Sequence, residues 1–125
     1  MHLRKWAGIL GATAVAAGAF GAHGLKDAVT PERLLVWETA ARYHLIHGLV
    51  LFALTLLPPA SDSSARYATW AARTFILGIL LFSGTLYALV LLDLPILGAV
   101  TPLGGASLIA GWLLLALIPM HRSPP

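Results

Sequence analysis

The chain has 125 residues, enough for one domain, with 58% hydrophobic residues, 10% charged residues and a formal net charge of +3. A soluble domain has about 25% charged residues, and a small one keeps much of its surface in water, so this composition excludes a soluble globular protein and predicts that lipid covers the chain. The basic residues form no run longer than two, which argues against nucleic-acid binding, and the absence of cysteine excludes thiolate catalysis and cysteine-ligated metal.

The first predicted element is a membrane span. A basic head of His2, Arg4 and Lys5 is followed by the charge-free stretch 6–22. At the rise of an α-helix this stretch is about 25 Å long, which is just enough to cross a bilayer. A basic head before an Ala-rich run is also typical of a secretory signal peptide, and that alternative stays open.

The first span is rich in small residues, with Gly8, Gly11, Gly18 and Gly21 separated mainly by alanine. Helices associate in lipid by close packing, so small faces let their backbones approach. The pattern predicts that this helix is central in the bundle or packs against a partner. Gly24 is expected to end it in a left-handed conformation, with the preceding His23 capping the last carbonyls.

The second predicted helix begins after Thr30, an N-cap residue followed by proline, and runs to Leu57. Its first half carries Glu38 and Arg42, which are four residues apart in the favourable order for an ion pair. Its second half is apolar and would complete a second span.

The remaining sequence predicts two more spans. A polar loop over 60–64 precedes a third helix over 65–92, and a Gly and Pro turn precedes a fourth over 101–118, with Thr101 as its N-cap. Gly84, Gly104 and Gly105 are expected to allow close helix contacts. The expectation is one all-α transmembrane domain over 1–125, a bundle of four transmembrane helices at roughly 4–23, 31–57, 65–92 and 101–118.

With four spans, both termini lie on the same side of the membrane. That side carries five basic residues, Arg4, Lys5, Arg66, Arg73 and Arg122, whereas the other carries three, Lys26, Arg33 and Arg42. Because cytoplasmic loops are enriched in Lys and Arg, this bias predicts cytoplasmic termini.

Five motifs occur in a characteristic order. They are Gly18-Ala-Phe-Gly-Ala-His-Gly-Leu-Lys26, Trp37-Glu-Thr-Ala with Tyr43-His-Leu-Ile-His47, Phe82-Ser-Gly-Thr-Leu-Tyr87, Thr101-Pro-Leu-Gly-Gly105, and Gly111-Trp112. The set resembles that of the YgdD-like small membrane proteins, a domain-of-unknown-function family with bacterial members and a eukaryotic transmembrane relative linked to mitochondria. Thr85 stands where the family pattern has serine, and it keeps the hydroxyl. The resemblance implies a four-span, multi-pass protein of the bacterial plasma (inner) membrane and no established activity.

His44 and His47 carry the most chemistry. They are three residues apart on a helix, so they can bind a metal ion, with His23 or Glu38 as a third ligand, or haem. Alternatively, they are buried polar residues hydrogen-bonded to Ser83, Thr85 or Tyr87. The candidate polar cluster comprises His23, Lys26, Trp37, Glu38, Arg42, Tyr43, His44, His47, Ser83, Thr85 and Tyr87.

No catalytic triad, paired intramembrane carboxylates or phosphate-binding loop occurs in the sequence. We therefore expect a non-enzymatic membrane protein that packs against itself or joins a larger membrane complex, with lipid as its surroundings and no cofactor. Two alternatives stay open. One is a small bundle that conducts protons, ions or a solute, and the other is a metal- or haem-binding membrane protein; both use His44 and His47.

Overall fold

The structure is a computed structural model that describes residues 2–58 and 60–119. Its regular elements are all helical. They are α1 (Leu3–Phe20) continued by a π-helical turn (Gly21–Leu25), α2 (Pro31–Leu54), α3 (Asp62–Leu92), a 3-10 helix (Pro95–Ala99) and α4 (Thr101–Ala116).

Three helical segments are long and apolar enough to cross a membrane. They are Leu3–Leu25, Asp62–Leu92 and Pro95–Ala116. The protein is therefore an all-helical membrane protein. Within the described residues α2 is not among the three segments, because its first half carries Glu32, Arg33, Glu38 and Arg42.

The predicted helix starts are confirmed at α2 and at α4, which begins at Thr101, whereas α3 begins earlier than predicted. The Thr30 hydroxyl accepts the backbone N–H of Arg33 at 3.3 Å, as expected of an N-cap. The predicted loop over 60–64 is shorter, because Ser61 and Ser64 form a reciprocal capping box and α3 begins at Asp62. Thr101 is not the N-cap of α4 but its first helical residue.

The predicted ends of the helices also change. α2 ends at Leu54 instead of Leu57, because the ring of Pro58 would clash with the carbonyl of residue 54. α4 ends at Ala116 rather than at 118. His121 and Arg122, which contribute to the sequence-based orientation, lie outside the described residues.

The predicted left-handed turn at Gly24 is wrong. The chain passes through a wider π-helical turn over Gly21–Leu25, and no described glycine has a positive φ. The reason is a contact from a distant residue: the indole N–H of Trp37 donates to the carbonyl of Ala17 at 2.7 Å. A side chain that bonds into the backbone ladder is a known cause of such local widening.

The main core lies where all four helices meet, and it centres on α3. Phe75 and Leu51 are fully buried there. The core cluster consists of Ala7, Leu10, Leu51, Leu54, Ala71, Ala72, Phe75, Ile79 and Leu108. α1 buries only Ala7, Leu10 and Ala14, so the expectation that α1 is central in the bundle is wrong.

Only some of the predicted packing glycines meet another helix. A Cβ on Gly104 would overlap the backbone of Phe82, and one on Gly21 would lie 2.6 Å from the ring of Trp37. Gly105 is looser, with its nearest atom, on Phe82, at 3.9 Å. No atom of another described helix lies within 4 Å of a Cβ built on Gly8, Gly11, Gly18 or Gly84. Gly8 and Gly18 are therefore uncovered in a single chain, whereas the backbone of Gly11 lies against α2, 3.6 Å from a Cβ built on Gly48.

Candidate functional site

His44 links three helices. It is buried on α2, and its Nε2 lies 3.3 Å from the Thr13 hydroxyl while its Nδ1 lies 3.1 Å from the Tyr87 hydroxyl. Thr13 already donates to the carbonyl of Ile9 at 2.8 Å. It therefore accepts from Nε2–H, and Nδ1 accepts from Tyr87. The result is a hydrogen-bonded chain from α3 through α2 to α1.

His47 is buried on the same inner side of α2, one turn further along, and contacts α4. The indole N–H of Trp112 donates to His47 Nε2 at 3.1 Å, so the ring proton is on Nδ1 and donates to the carbonyl of Tyr43 at 2.7 Å. The ring also lies against Phe75, with centroids 5.6 Å apart. We call Thr13, His44, His47, Tyr87 and Trp112 the histidine network.

Two further candidates, the buried Ser83 and the more exposed Tyr43, complete the contact between α2 and α3. Ser83 donates to the carbonyl of Ala40 at 2.7 Å, and the Tyr43 ring stacks on Phe82 with centroids 4.5 Å apart. Thr85 does not reach a histidine; its hydroxyl lies 2.9 Å from that of Thr101 on α4.

Trp37 packs against Tyr87, with ring centroids 4.5 Å apart. It is buried beneath the end of α1, where its indole also contacts Phe20. The sequence-predicted residues on the α2 and α3 contact are therefore brought together by packing.

Four predicted residues lie away from this contact. His23, Lys26, Glu38 and Arg42 are exposed. The expected ion pair between Glu38 and Arg42 does not form; the ion pair found within residues 2–58 and 60–119 joins Arg33 Nη2 to Asp93 Oδ1 at 2.8 Å. Asp93 has a left-handed backbone (φ 51°) at the end of α3, which places its carboxylate beside the first turn of α2.

The geometry does not favour metal ligation by the two histidines. Both ring nitrogens of His44 and His47 are used in hydrogen bonds, so neither ring has a free lone pair for a metal ion. In the described part of the chain no three His, Asp or Glu side chains come together in a ligand set. Every buried side-chain nitrogen or oxygen there has a hydrogen-bond partner.

Two grooves flank the histidine network. One lies between α1 and α3, with a volume of about 310 Å³, above Thr13, His44 and Tyr87. The other lies between α2 and α4, with a volume of about 300 Å³, beside His47 and Trp112. The surface of both grooves is almost entirely apolar because the hydrogen bonds turn the polar atoms inward.

Sequence reasoning missed several residues of this site. Thr13 carries a hydroxyl in an otherwise apolar span. Trp112 belongs to the Gly111-Trp112 motif, from which no contact with a histidine was predicted. Gly78 and Gly111 were also missed, although a Cβ on either would overlap a side chain of the opposing helix. A polar residue at mid-span was the signal available for Thr13, because such residues are costly in lipid.

Comparisons with known proteins give a consistent result. Residues 17–105 match the family described as "Protein of unknown function (DUF423)". The chain is 43% identical over 104 residues to a "UPF0382 membrane protein" of Staphylococcus epidermidis, covering 83% of each chain. It is 42% identical over 104 residues to "UPF0382 membrane protein YwdK" of Bacillus subtilis, covering 83% of this chain and 84% of the relative. No solved structure matches this chain.

Proposed function

This chain belongs to the DUF423 family of proteins of unknown function, whose similar members are named membrane proteins, and from that premise we propose that it is a YgdD-like packing component of the bacterial inner membrane. It is non-enzymatic, crosses the membrane four times, and self-associates or joins a larger membrane complex. The observation that carries this proposal is the satisfied polar core: both histidines use both ring nitrogens to hold helices together.

The contacts of α2 support a fourth span. α2 bonds to α1 through Thr13, to α3 through Ser83 and to α4 through Trp112. These three helices include the apolar segments that can cross the membrane. A helix packed along α1 and α3 and bonded to α4 lies at the depth they occupy, and its buried polar groups are satisfied by them instead of by water.

Conduction by a histidine path has less support. His44 and His47 are buried on the inner side of α2, whereas Glu38 and Arg42 are exposed on its outer side. The four side chains therefore do not line a common cavity. The tight approach of α3 to α4 also leaves no aqueous passage between these two helices.

The number of spans can be tested with single cysteines because the natural chain has none. We expect Ala28→Cys to react with a membrane-impermeant maleimide added to the outside of intact cells. His2→Cys and Ala60→Cys are expected to react only after the membrane is opened, because positive-inside orientation places them in the cytoplasm. Labelling of Ala28→Cys and Ala60→Cys from the same side would show that α2 does not cross.

Self-association is tested separately. The uncovered Gly8 and Gly18 support it, because glycine in a helix costs about 1 kcal/mol relative to alanine and a Cβ at either position would meet no other helix of this chain. Crosslinking in native membranes and native mass spectrometry in a mild detergent are expected to show a dimer or larger assembly. A monomer in both measurements would contradict this part of the proposal.

A further inference from the structure

The outer face of α2 carries a regular stripe of exposed residues. Its members alternate three and four residues apart, and each is exposed: Leu35, Glu38, Arg42, Leu45, Leu49 and Phe52. This is the heptad spacing by which one helix packs along another. We call these six residues the α2 seam.

The two charges of the α2 seam lie near the middle of the bundle. Ser83 is the central residue of the charge-free stretch 74–92, and its hydroxyl bonds to the carbonyl of Ala40. Glu38 and Arg42 are each two residues from Ala40, which is about 3 Å along the helix. Given the proposed four-span arrangement, on which this inference rests, both side chains lie near the bilayer midplane on the surface facing lipid.

A lone monomer leaves these charges in an unfavourable place. Ionised side chains inside a bilayer normally face the bundle interior or pair with each other. Glu38 and Arg42 face outward, and neither is part of the ion pair found in the described part of the chain. Even if they paired along the helix, the pair would remain exposed to hydrocarbon.

We propose that the α2 seam is the interface of a homodimer in which Glu38 of each copy pairs with Arg42 of the other. The seam is self-complementary because it carries one acid and one base a single helical turn apart. Two copies of a membrane protein have the same orientation, so their α2 helices run parallel about a two-fold axis. Each acid then lies one turn from the partner's base, and the leucines above and below exclude lipid.

The glycine-rich face of α1 is the competing surface. Gly8 and Gly18 on this face are also uncovered, but small apolar residues can be covered by lipid without leaving a charge unpaired. Lipid cannot cover the charges of α2 in this way, so the observations favour the α2 seam. A second copy also fits better than a different partner, because this chain already supplies both halves of the ion pair.

The test is charge complementation in full-length protein. E38R gives a seam with two bases, and R42E gives one with two acids, so each variant alone is expected to lose dimer, with a dissociation constant in lipid raised at least about tenfold. The two variants expressed together, with different tags, are expected to form a heterodimer. The double exchange E38R/R42E restores the homodimer. If Glu38 and Arg42 instead pair within one helix, co-expression of the two single variants is not expected to restore a dimer.

Cysteine crosslinking decides the interface without changing any charge. Leu49→Cys is expected to form a disulfide-linked dimer in oxidised membranes, whereas Ala12→Cys on the α1 face and Ile109→Cys on α4 are not. If the natural-sequence protein is found to be a monomer, the proposed self-association itself is wrong. A natural-sequence dimer that survives both single charge variants, or that crosslinks through Ala12→Cys and not Leu49→Cys, would overturn the seam alone.

Discussion

Gly104 shows how a single missing side chain sets the distance between two helices. A Cβ at this position would overlap the backbone of Leu81 and Phe82, whereas one on the adjacent Gly105 would lie 3.9 Å from the ring of Phe82. Backbone atoms cannot rotate away as a side chain can. The contact therefore requires glycine at 104 and tolerates alanine at 105.

We expect Gly104→Ala to lower the free energy of unfolding by about 1–3 kcal/mol, because α4 must move away from α3. Gly105→Ala is the matched control, and it should be neutral or stabilise by about 0.5–1 kcal/mol through helix propensity. Thermal or denaturant unfolding in the same detergent, followed by circular dichroism, measures both. Equal effects of the two substitutions would show that the close approach is absent.

At the scale of the element, α1 ends in a way that depends on another helix. Its last turn widens over Gly21–Leu25, beside the bond from Trp37 to the carbonyl of Ala17. A Cβ on Gly21 would lie 2.6 Å from the Trp37 ring, so the π-helical turn packs directly against the indole.

We expect Trp37→Phe to speed hydrogen–deuterium exchange of the amides in Gly21–Leu25 and to lower stability by about 1 kcal/mol, because the carbonyl of Ala17 loses its indole donor. Trp70→Phe is the control, since Trp70 is exposed on α3. Exchange measured by mass spectrometry should differ only in the first variant. Unchanged exchange at the π-helical turn would argue that Trp37 does not shape it.

Local signals in the sequence predict some of these element boundaries and not others. Thr30 is correctly predicted as a cap because its partner, the N–H of Arg33, is three residues away. The turn at Gly24 is not, because its conformation depends on Trp37, which is close only after folding. The glycine pattern likewise indicates a small face on α1 without saying whether another helix covers Gly8 or Gly18.

At the scale of the whole molecule, His44 connects α1, α2 and α3 through one ring. Composition predicts the membrane environment, and motif spacing predicts that His44 and His47 are important. Both predictions are possible because apolar runs and single polar residues can be recognised in the sequence without knowledge of the fold. The choice between metal ligation and hydrogen bonding is not visible there. It depends on Thr13 and Trp112, which come from distant parts of the chain.

We expect Thr13→Val and Tyr87→Phe to be energetically coupled by about 0.5–1 kcal/mol, because each removes a partner from the same imidazole ring of His44. Unfolding free energies of the two single variants and the double variant give the coupling. Thr74→Val combined with Tyr87→Phe is the control, since the Thr74 hydroxyl bonds only to carbonyls of its own helix, and the two effects should add. Additivity in both cycles would mean that the bonds to His44 act independently.

The contact between α3 and α4 also limits how these helices can move. Three glycines at this contact lie directly against atoms of the opposing helix: Gly78, Gly104 and Gly111. Sliding α4 by one turn would bring Val100 or Leu108 to the place of Gly104, where even a methyl group collides with the α3 backbone. A piston-like displacement of one against the other is therefore blocked. The two helices must travel as one rigid hairpin in any rearrangement of the protein.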